Sequence, residues 1–253
     1  MSAPNLQRPL DLGAMLDSAL SIYRRHFVTL LASVGVLVVP LALLEPVLGD
    51  VGSLIAGGLL AFIPTAVTAY VVADVATGVK PTVGSVWNRV TPVVVPLILT
   101  AALILVPFVV VLGLALLTAP VLAFYLLVPA LVLAIWLTQV APVLAIEDRR
   151  YLDAARRSKQ LVSGSWWRVF GILLAINVVG ALASLAIVLP FAGTAFDTSR
   201  PAAVVANAFA TMLITPVTSV VAALLYFDLR LRKEGADIAR EIDALGPLPP
   251  ARE

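Results

Sequence analysis

Five long stretches without a charged residue determine what this 253-residue chain can fold into. An apolar run of about 18 residues or more can cross a bilayer as a helix, because about 20 residues rising 1.5 Å each span the hydrocarbon core. The third stretch, Val90–Ile146, has 57 residues and must fold back on itself, with Thr118-Ala119-Pro120 as the best turn. We therefore predict six transmembrane helices, at about residues 27–48, 51–73, 92–117, 120–146, 169–192 and 202–227.

The basic residues indicate the orientation of these spans. Lys and Arg number 17, and 16 of them lie before the first span, in alternate loops and in the C-terminal tail, whereas Arg200 alone lies on the opposite side. Cytoplasmic loops are the ones that keep Lys and Arg. The sequence therefore predicts an all-α, polytopic membrane protein with both termini in the cytoplasm and one membrane domain over residues 1–253.

Composition excludes several classes of function. Hydrophobic residues make up 61% and charged residues 13% of the chain, against about 45–50% and 25% in soluble domains. There is no cysteine, His26 is the only histidine, and neither a Gly-x-Ser-x-Gly elbow nor a Gly-x-x-x-x-Gly-Lys loop occurs. Thiolate chemistry, histidine metal clusters and the familiar hydrolase and nucleotide-binding arrangements are thereby excluded. We expect a protein that is not an enzyme and that needs no cofactor or metal.

Three amphipathic segments precede the outbound spans, at about residues 10–25, 81–89 and 150–163, and we predict that they are interfacial helices on the cytoplasmic side. Aromatic rings and arginines recur at their ends, where rings anchor and long cations reach the headgroups. We therefore expect contact with lipid from Tyr23, Arg24, Arg25, Trp87, Arg89, Arg156, Arg157, Trp166, Trp167 and Arg168. The recurrence fits either a threefold internal duplication or the general placement of such residues at an inner boundary.

The predicted partners are membrane lipids with anionic headgroups. The isoelectric point is near 9.1, but the net charge is only +2 and the basic residues follow the membrane topology, so we expect no nucleic-acid partner. A protein partner or a second copy of the chain is also possible at this surface. The 14 arginines against 3 lysines, with abundant Ala and Val, suit the cytoplasmic (inner) membrane of a bacterium.

Polar residues inside the spans are amides and hydroxyls, since no Lys, Arg, Asp or Glu lies near the middle of any span. Asn177, Gly180 and Ser184 share one helix face, and small residues at this spacing let helices approach closely. Asn177 should lie level with Thr218 and Ser219 of the sixth span and hydrogen-bond to one of them or, one turn deeper, to Thr215. We predict that Asn177, Gly180, Ser184, Thr215 and Ser219 pack the last two spans together, with a ligand site as the alternative.

Three passages carry a resemblance to a known family. They are 8–13 continuing to 23–27, 155–162 with 166–169, and 225–230 with 232–235, each at a predicted span boundary. In this order the chain resembles the bacterial six-span proteins classed with the membrane domain of glycerophosphoryl diester phosphodiesterase. The resemblance implies a membrane scaffold, which in the phosphodiesterases anchors a separate catalytic domain. We expect no such domain here, so hydrolase activity is not carried over.

Two functions remain in competition. One is a scaffold or anchor that organises lipid or partner proteins at the cytoplasmic leaflet, because the distinctive residues cluster there. The other is a small-molecule or lipid transporter, which the proline-rich spans favour. A polar cavity that reaches the middle of the bilayer would support transport, whereas a solid apolar core would support a scaffold.

Overall fold

The computed structural model of the protein describes residues 11–118, 120–191 and 201–245, and within them every regular element is a helix. The helices are α1 (Leu12–Arg25), α2 (Phe27–Leu60), α3 (Phe62–Ala76), α4 (Val83–Thr118), α5 (Pro120–Leu137), α6 (Val140–Glu147), α7 (Tyr151–Val162), α8 (Trp166–Val188), a 3-10 turn (Leu189–Phe191) and α9 (Pro201–Leu245). Among the described residues, five segments are long and apolar enough to cross a membrane, and there are six if the bent pair of α1 and Phe27–Leu41 counts as one span. The prediction of an all-α polytopic fold is confirmed.

Helix α1 is the amphipathic helix predicted at 10–25, apart from residue 10, which lies outside the described residues. Its N-cap Asp11 accepts a 2.7 Å hydrogen bond from the Ala14 amide, and Met15, Ala19 and Ile22 form its buried face. The chain then turns by 88° into α2. Such a bend places α1 across the start of the first span, as an interfacial helix requires.

Two predicted spans are interrupted, which corrects the unbroken 51–73 and 120–146. The helix is broken at Ala61, between α2 and α3, and at Thr138-Gln139, between α5 and α6, although Ile55–Ala76 and Val128–Glu147 each remain long and apolar enough to cross a membrane. Each break lies shortly before a proline, Pro64 or Pro142, whose missing N–H leaves the carbonyl four residues earlier without its helical donor. The first two spans are separated only by Gly49, with φ 66° inside α2. The predicted turn at 118–120 and the end of the span at 192 include residues outside the described part.

The separate surface helix predicted at 81–89 is wrong. Helix α4 runs without interruption from Val83 to Thr118 and carries Pro92, Pro96 and Pro107 within it. Thr82 and Ser85 cap its start, because the Thr82 hydroxyl accepts from the Ser85 amide while the Ser85 hydroxyl accepts from the Thr82 amide, each at 3.2 Å. The third surface helix, α7, is separate, since Gly164 adopts φ +81° between α7 and α8.

Helix α9 is the central element of the bundle and packs against α1, α2, α3 and α8. Its buried residues are Val220, Val221, Ala223, Leu224, Leu225, Tyr226 and Leu229. The helix does not end at 227, as predicted, but continues to Leu245. This extension carries Asp228, Arg230, Arg232 and Glu234 past the end of the apolar stretch, towards α7.

Candidate functional site

A cavity of about 420 Å³ lies between α2, α3, α8 and α9. Apolar residues of all four helices line it, and most of its polar lining residues lie on α8 and α9, namely Asn177, Thr211, Thr215, Thr218 and Ser219, with Thr65 on α3. Asn177 lies eleven residues after the start of α8, or about 16 Å along the helix axis at 1.5 Å per residue. The cavity therefore reaches the depth of the middle of the span.

The hydrogen bond predicted from Asn177 to α9 is wrong. The Asn177 amide instead donates to the Leu173 carbonyl of its own helix, at 2.7 Å, and Asn177 is exposed to the cavity. Thr218 likewise donates within its own helix, to the Thr215 carbonyl at 3.0 Å. Among the described residues the Asn177 side-chain oxygen has no donor. Asn177 therefore presents a hydrogen-bond acceptor to the cavity and does not link the two helices.

Gly180 makes the close contact between α8 and α9. A methyl group on Gly180 would lie 3.2 Å from Cγ2 of Ile214 and 3.5 Å from Cγ2 of Thr218. Ser184, one turn further along α8, lines a second hollow of about 300 Å³ together with Gly180, Asn177, Thr211 and Thr215. The five polar or small residues predicted to pack these helices are thus brought together, but most of them border empty space.

A second site is a layer of ion pairs where the return helices end. An acid stands at each of these ends in the sequence, and each of them pairs with an arginine. Asp74 of α3 binds both terminal nitrogens of Arg89 of α4, one of them at 2.9 Å. Glu147 of α6 binds Arg157 of α7 at 2.9 Å, and Asp228 of α9 binds Arg168 of α8 at 3.0 Å.

Arg157 joins three elements of this layer. Its Nε donates to Glu147 and one terminal nitrogen donates to Glu234 of α9 at 2.8 Å, while the Tyr226 hydroxyl also donates to Glu147 at 3.0 Å. Burial lowers the pKa of Arg157, but the hydrogen bonds and charges of Glu147 and Glu234 together outweigh it and raise the pKa above its ordinary value. Arg157 is therefore a fixed positive charge that ties α7 to the ends of α6 and α9.

The residues predicted to contact lipid fall into two groups. Arg89, Arg157 and Arg168 are committed to carboxylates, and Arg156 pairs with Asp153 at 3.1 Å. Tyr23 donates to the Leu213 carbonyl of α9 at 3.1 Å, and Trp166 stacks on Phe170. Trp167 is 77% exposed, and Arg24 and Arg25 are exposed as well, whereas Trp87 is only partly exposed. The available contacts with lipid thus lie mainly at Trp167 and the end of α1.

No family model, curated protein or solved structure matches this chain. The resemblance to the phosphodiesterase membrane domain therefore stays a prediction.

Proposed function

We propose that this chain is a non-enzymatic, multi-pass protein of the bacterial cytoplasmic membrane that binds and carries a lipid or another amphipathic small molecule. The observation that supports this proposal is the cavity between α2, α3, α8 and α9. Its volume of about 420 Å³ lies within the range of about 300–1,000 Å³ typical of ligand sites. A partly polar cavity at the middle of the span favours transport, whereas a solid apolar core would favour a scaffold.

The lining indicates the chemistry of the ligand. Leu37, Leu41, Leu60 and Ile176 are among its apolar lining residues, while the hydroxyls of the threonines and of Ser219 and the Asn177 oxygen supply hydrogen-bonding groups. The described residues that line the cavity include no ionisable side chain. A buried charge without a partner is strongly unfavourable. The part of the ligand inside the cavity should therefore be uncharged, with an apolar body and a few hydrogen-bonding groups.

The proposal is tested by filling the cavity. Ala222 lines it, so Ala222→Phe should displace the ligand, whereas Ala134→Phe on the exposed face of α5 adds the same bulk elsewhere. Native mass spectrometry of protein purified in mild detergent should detect a co-purified lipid or small molecule on the wild type and on Ala134→Phe. Ala222→Phe should lose it. Equal retention by both variants would contradict the proposal.

Transport of the ligand across the membrane needs a second measurement. Proteoliposomes containing the wild type should move a fluorescent lipid analogue between leaflets faster than protein-free liposomes, and Ala222→Phe should reduce this rate. Binding without any acceleration would restrict the function to lipid binding.

A second candidate function, a scaffold at the cytoplasmic leaflet, is favoured by the ion-paired layer. Arg157 and Arg168 hold α7, α8 and the extension of α9 together beside the exposed Trp167. A rigid surface of this kind suits a protein partner or a second copy of the chain. Crosslinking in native membranes, with a photoreactive group at Trp167 and a control at Tyr125 of α5, should recover a defined partner only from the first position if the scaffold function is correct.

A further inference from the structure

The cytoplasmic end of the bundle holds a second cavity, separate from the one proposed to carry the ligand. It has a volume of about 600 Å³ and lies between the end of α7, the turn at 163–165 and the extension of α9. The polar side chains of Arg157, Gln160, Ser163, Ser165, Arg232 and Lys233 line it. Glu234 is the only acidic group among the described lining residues.

Several donors in this cavity lack a protein partner. Within the described part of the chain, Gln160, Ser163, Ser165 and Lys233 form no side-chain hydrogen bond, and Lys233 has no ion pair. The Lys233 ammonium lies beside the turn, 4.0 Å from the point where a methyl group on Gly164 would be. A cation and hydroxyl groups left without partners around one hollow indicate a site for an anion.

The surrounding charges also favour an anion. Three carboxylates, Glu147, Asp228 and Glu234, are shared by five arginines at this end of the molecule, namely Arg149, Arg157, Arg168, Arg230 and Arg232. Lys233 adds a further positive charge that these carboxylates do not neutralise. The local charge is therefore positive, and a cleft lined by one sign of charge concentrates ions of the opposite sign.

The backbone adds to this preference at the start of α8. Gly164 takes φ +81°, so that the chain turns sharply between α7 and α8. Ser165 then caps α8 without a side-chain hydrogen bond to its first amides. The first N–H groups of a helix are without helical acceptors and carry positive partial charge. Ser165, the residue directly before these N–H groups, lines the cavity together with Ser163.

We infer that this cavity binds a phosphate group, through Lys233, the Ser163 and Ser165 hydroxyls and the arginines at its rim. The phosphate belongs either to the headgroup of an anionic lipid or to a free phosphate ester. The exposed ring of Trp167, two residues after Ser165 at the start of α8, favours a site at the headgroup layer. This inference does not depend on the cavity between α2, α3, α8 and α9.

The test uses the full chain and two lysine variants. Lys233→Gln removes the unpaired charge from the cavity, and Lys80→Gln makes the same change in the exposed loop between α3 and α4. One arm measures binding of inorganic phosphate to protein in neutral detergent by calorimetry. The other arm measures, by native mass spectrometry, binding of phosphatidic acid against phosphatidylcholine in nanodiscs. Lys233→Gln should weaken binding about tenfold, as expected for a charge-assisted hydrogen bond.

The outcomes separate the two sources of phosphate. If Lys233→Gln loses binding of phosphatidic acid and Lys80→Gln does not, the phosphate is that of a lipid headgroup. If Lys233→Gln loses binding of inorganic phosphate, the phosphate is that of a soluble ester. The double variant Ser163→Ala, Ser165→Ala keeps every charge and should still weaken binding about fivefold. The inference is overturned if the wild type binds neither probe, if Lys80→Gln loses as much affinity as Lys233→Gln, or if the serine variant binds like the wild type.

Discussion

The ion pair between Asp74 and Arg89 should respond very differently to removal of its two partners. The Asp74 side chain is only 9% exposed, whereas that of Arg89 is 39% exposed. Arg89→Met therefore leaves a carboxylate inside the bundle with no cation, because Arg89 is its only side-chain partner in the described part of the chain. Asp74→Asn leaves an arginine that can turn to water or headgroups.

The magnitudes follow from these exposures. Breaking a buried pair by removing one partner costs about 3–5 kcal/mol when the other charge stays buried. We expect about 3 kcal/mol for Arg89→Met, since water reaches part of the site. Asp74→Asn should cost only about 1 kcal/mol, because a pair with an exposed partner is screened. The double variant should cost about as much as Asp74→Asn alone, giving a coupling energy of about 3 kcal/mol.

Equilibrium unfolding from mild detergent into sodium dodecyl sulfate, followed by tryptophan fluorescence, measures these free energies. The control is Arg156→Met, which removes an arginine that is 73% exposed and should change stability little. If Arg89→Met costs no more than Asp74→Asn, the carboxylate is not buried in the way the structure indicates. The inference that a buried acid at the end of α3 depends on its arginine would then be wrong.

Three further predictions concern topology and local structure. Reporter fusions should be external at Asp50, Ala119 and Thr198 and cytoplasmic at Gly78, Asp153 and Glu253; one consistent reversal would exclude the predicted orientation. Gly164→Ala should cost about 1–2 kcal/mol in the same unfolding assay, because φ +81° is unfavourable for alanine, while Gly171→Ala inside α8, with open space around it, should not destabilise. Tyr23→Phe should cost about 0.6–1.5 kcal/mol by removing the bond to Leu213, and the exposed Tyr151→Phe should be neutral.

The sequence predicted those elements whose apolar pattern has a boundary. Helix α1 has a polar face and an Asp11 cap, and α7 ends before Gly164, so both could be placed to within a residue or two. Inside a uniformly apolar segment no such boundary exists. Hydropathy therefore could not show that Thr138-Gln139 interrupts a span, and at Asn88-Arg89 a polar boundary predicted a helix end where α4 continues.

The break at Thr138-Gln139 depends on a tertiary contact that the sequence alone does not reveal. Ser158 of α7 donates to the Trp136 carbonyl at 2.6 Å and accepts from the Gln139 amide at 3.1 Å. A surface helix thus satisfies two backbone groups at the break between α5 and α6. The sequence contains Gln139 and Ser158, but only the tertiary structure brings them together. The same holds for the pairs of Asp74 with Arg89 and Asp228 with Arg168, although the acids at helix ends were a usable clue.

The contact between α8 and α9 gives a last prediction, in which Gly180 matters and Asn177 does not. An atom added at Gly180 would already lie 3.2 Å from Ile214, so Gly180→Ile must push the helices apart. Overpacking of this kind costs about 1–3 kcal/mol, and we expect about 2 kcal/mol in the unfolding assay. Asn177→Leu should cost less than about 0.5 kcal/mol, because its amide bonds only to its own helix. The opposite ranking would show that the Asn177 side chain turns to α9 in the bilayer and closes the cavity.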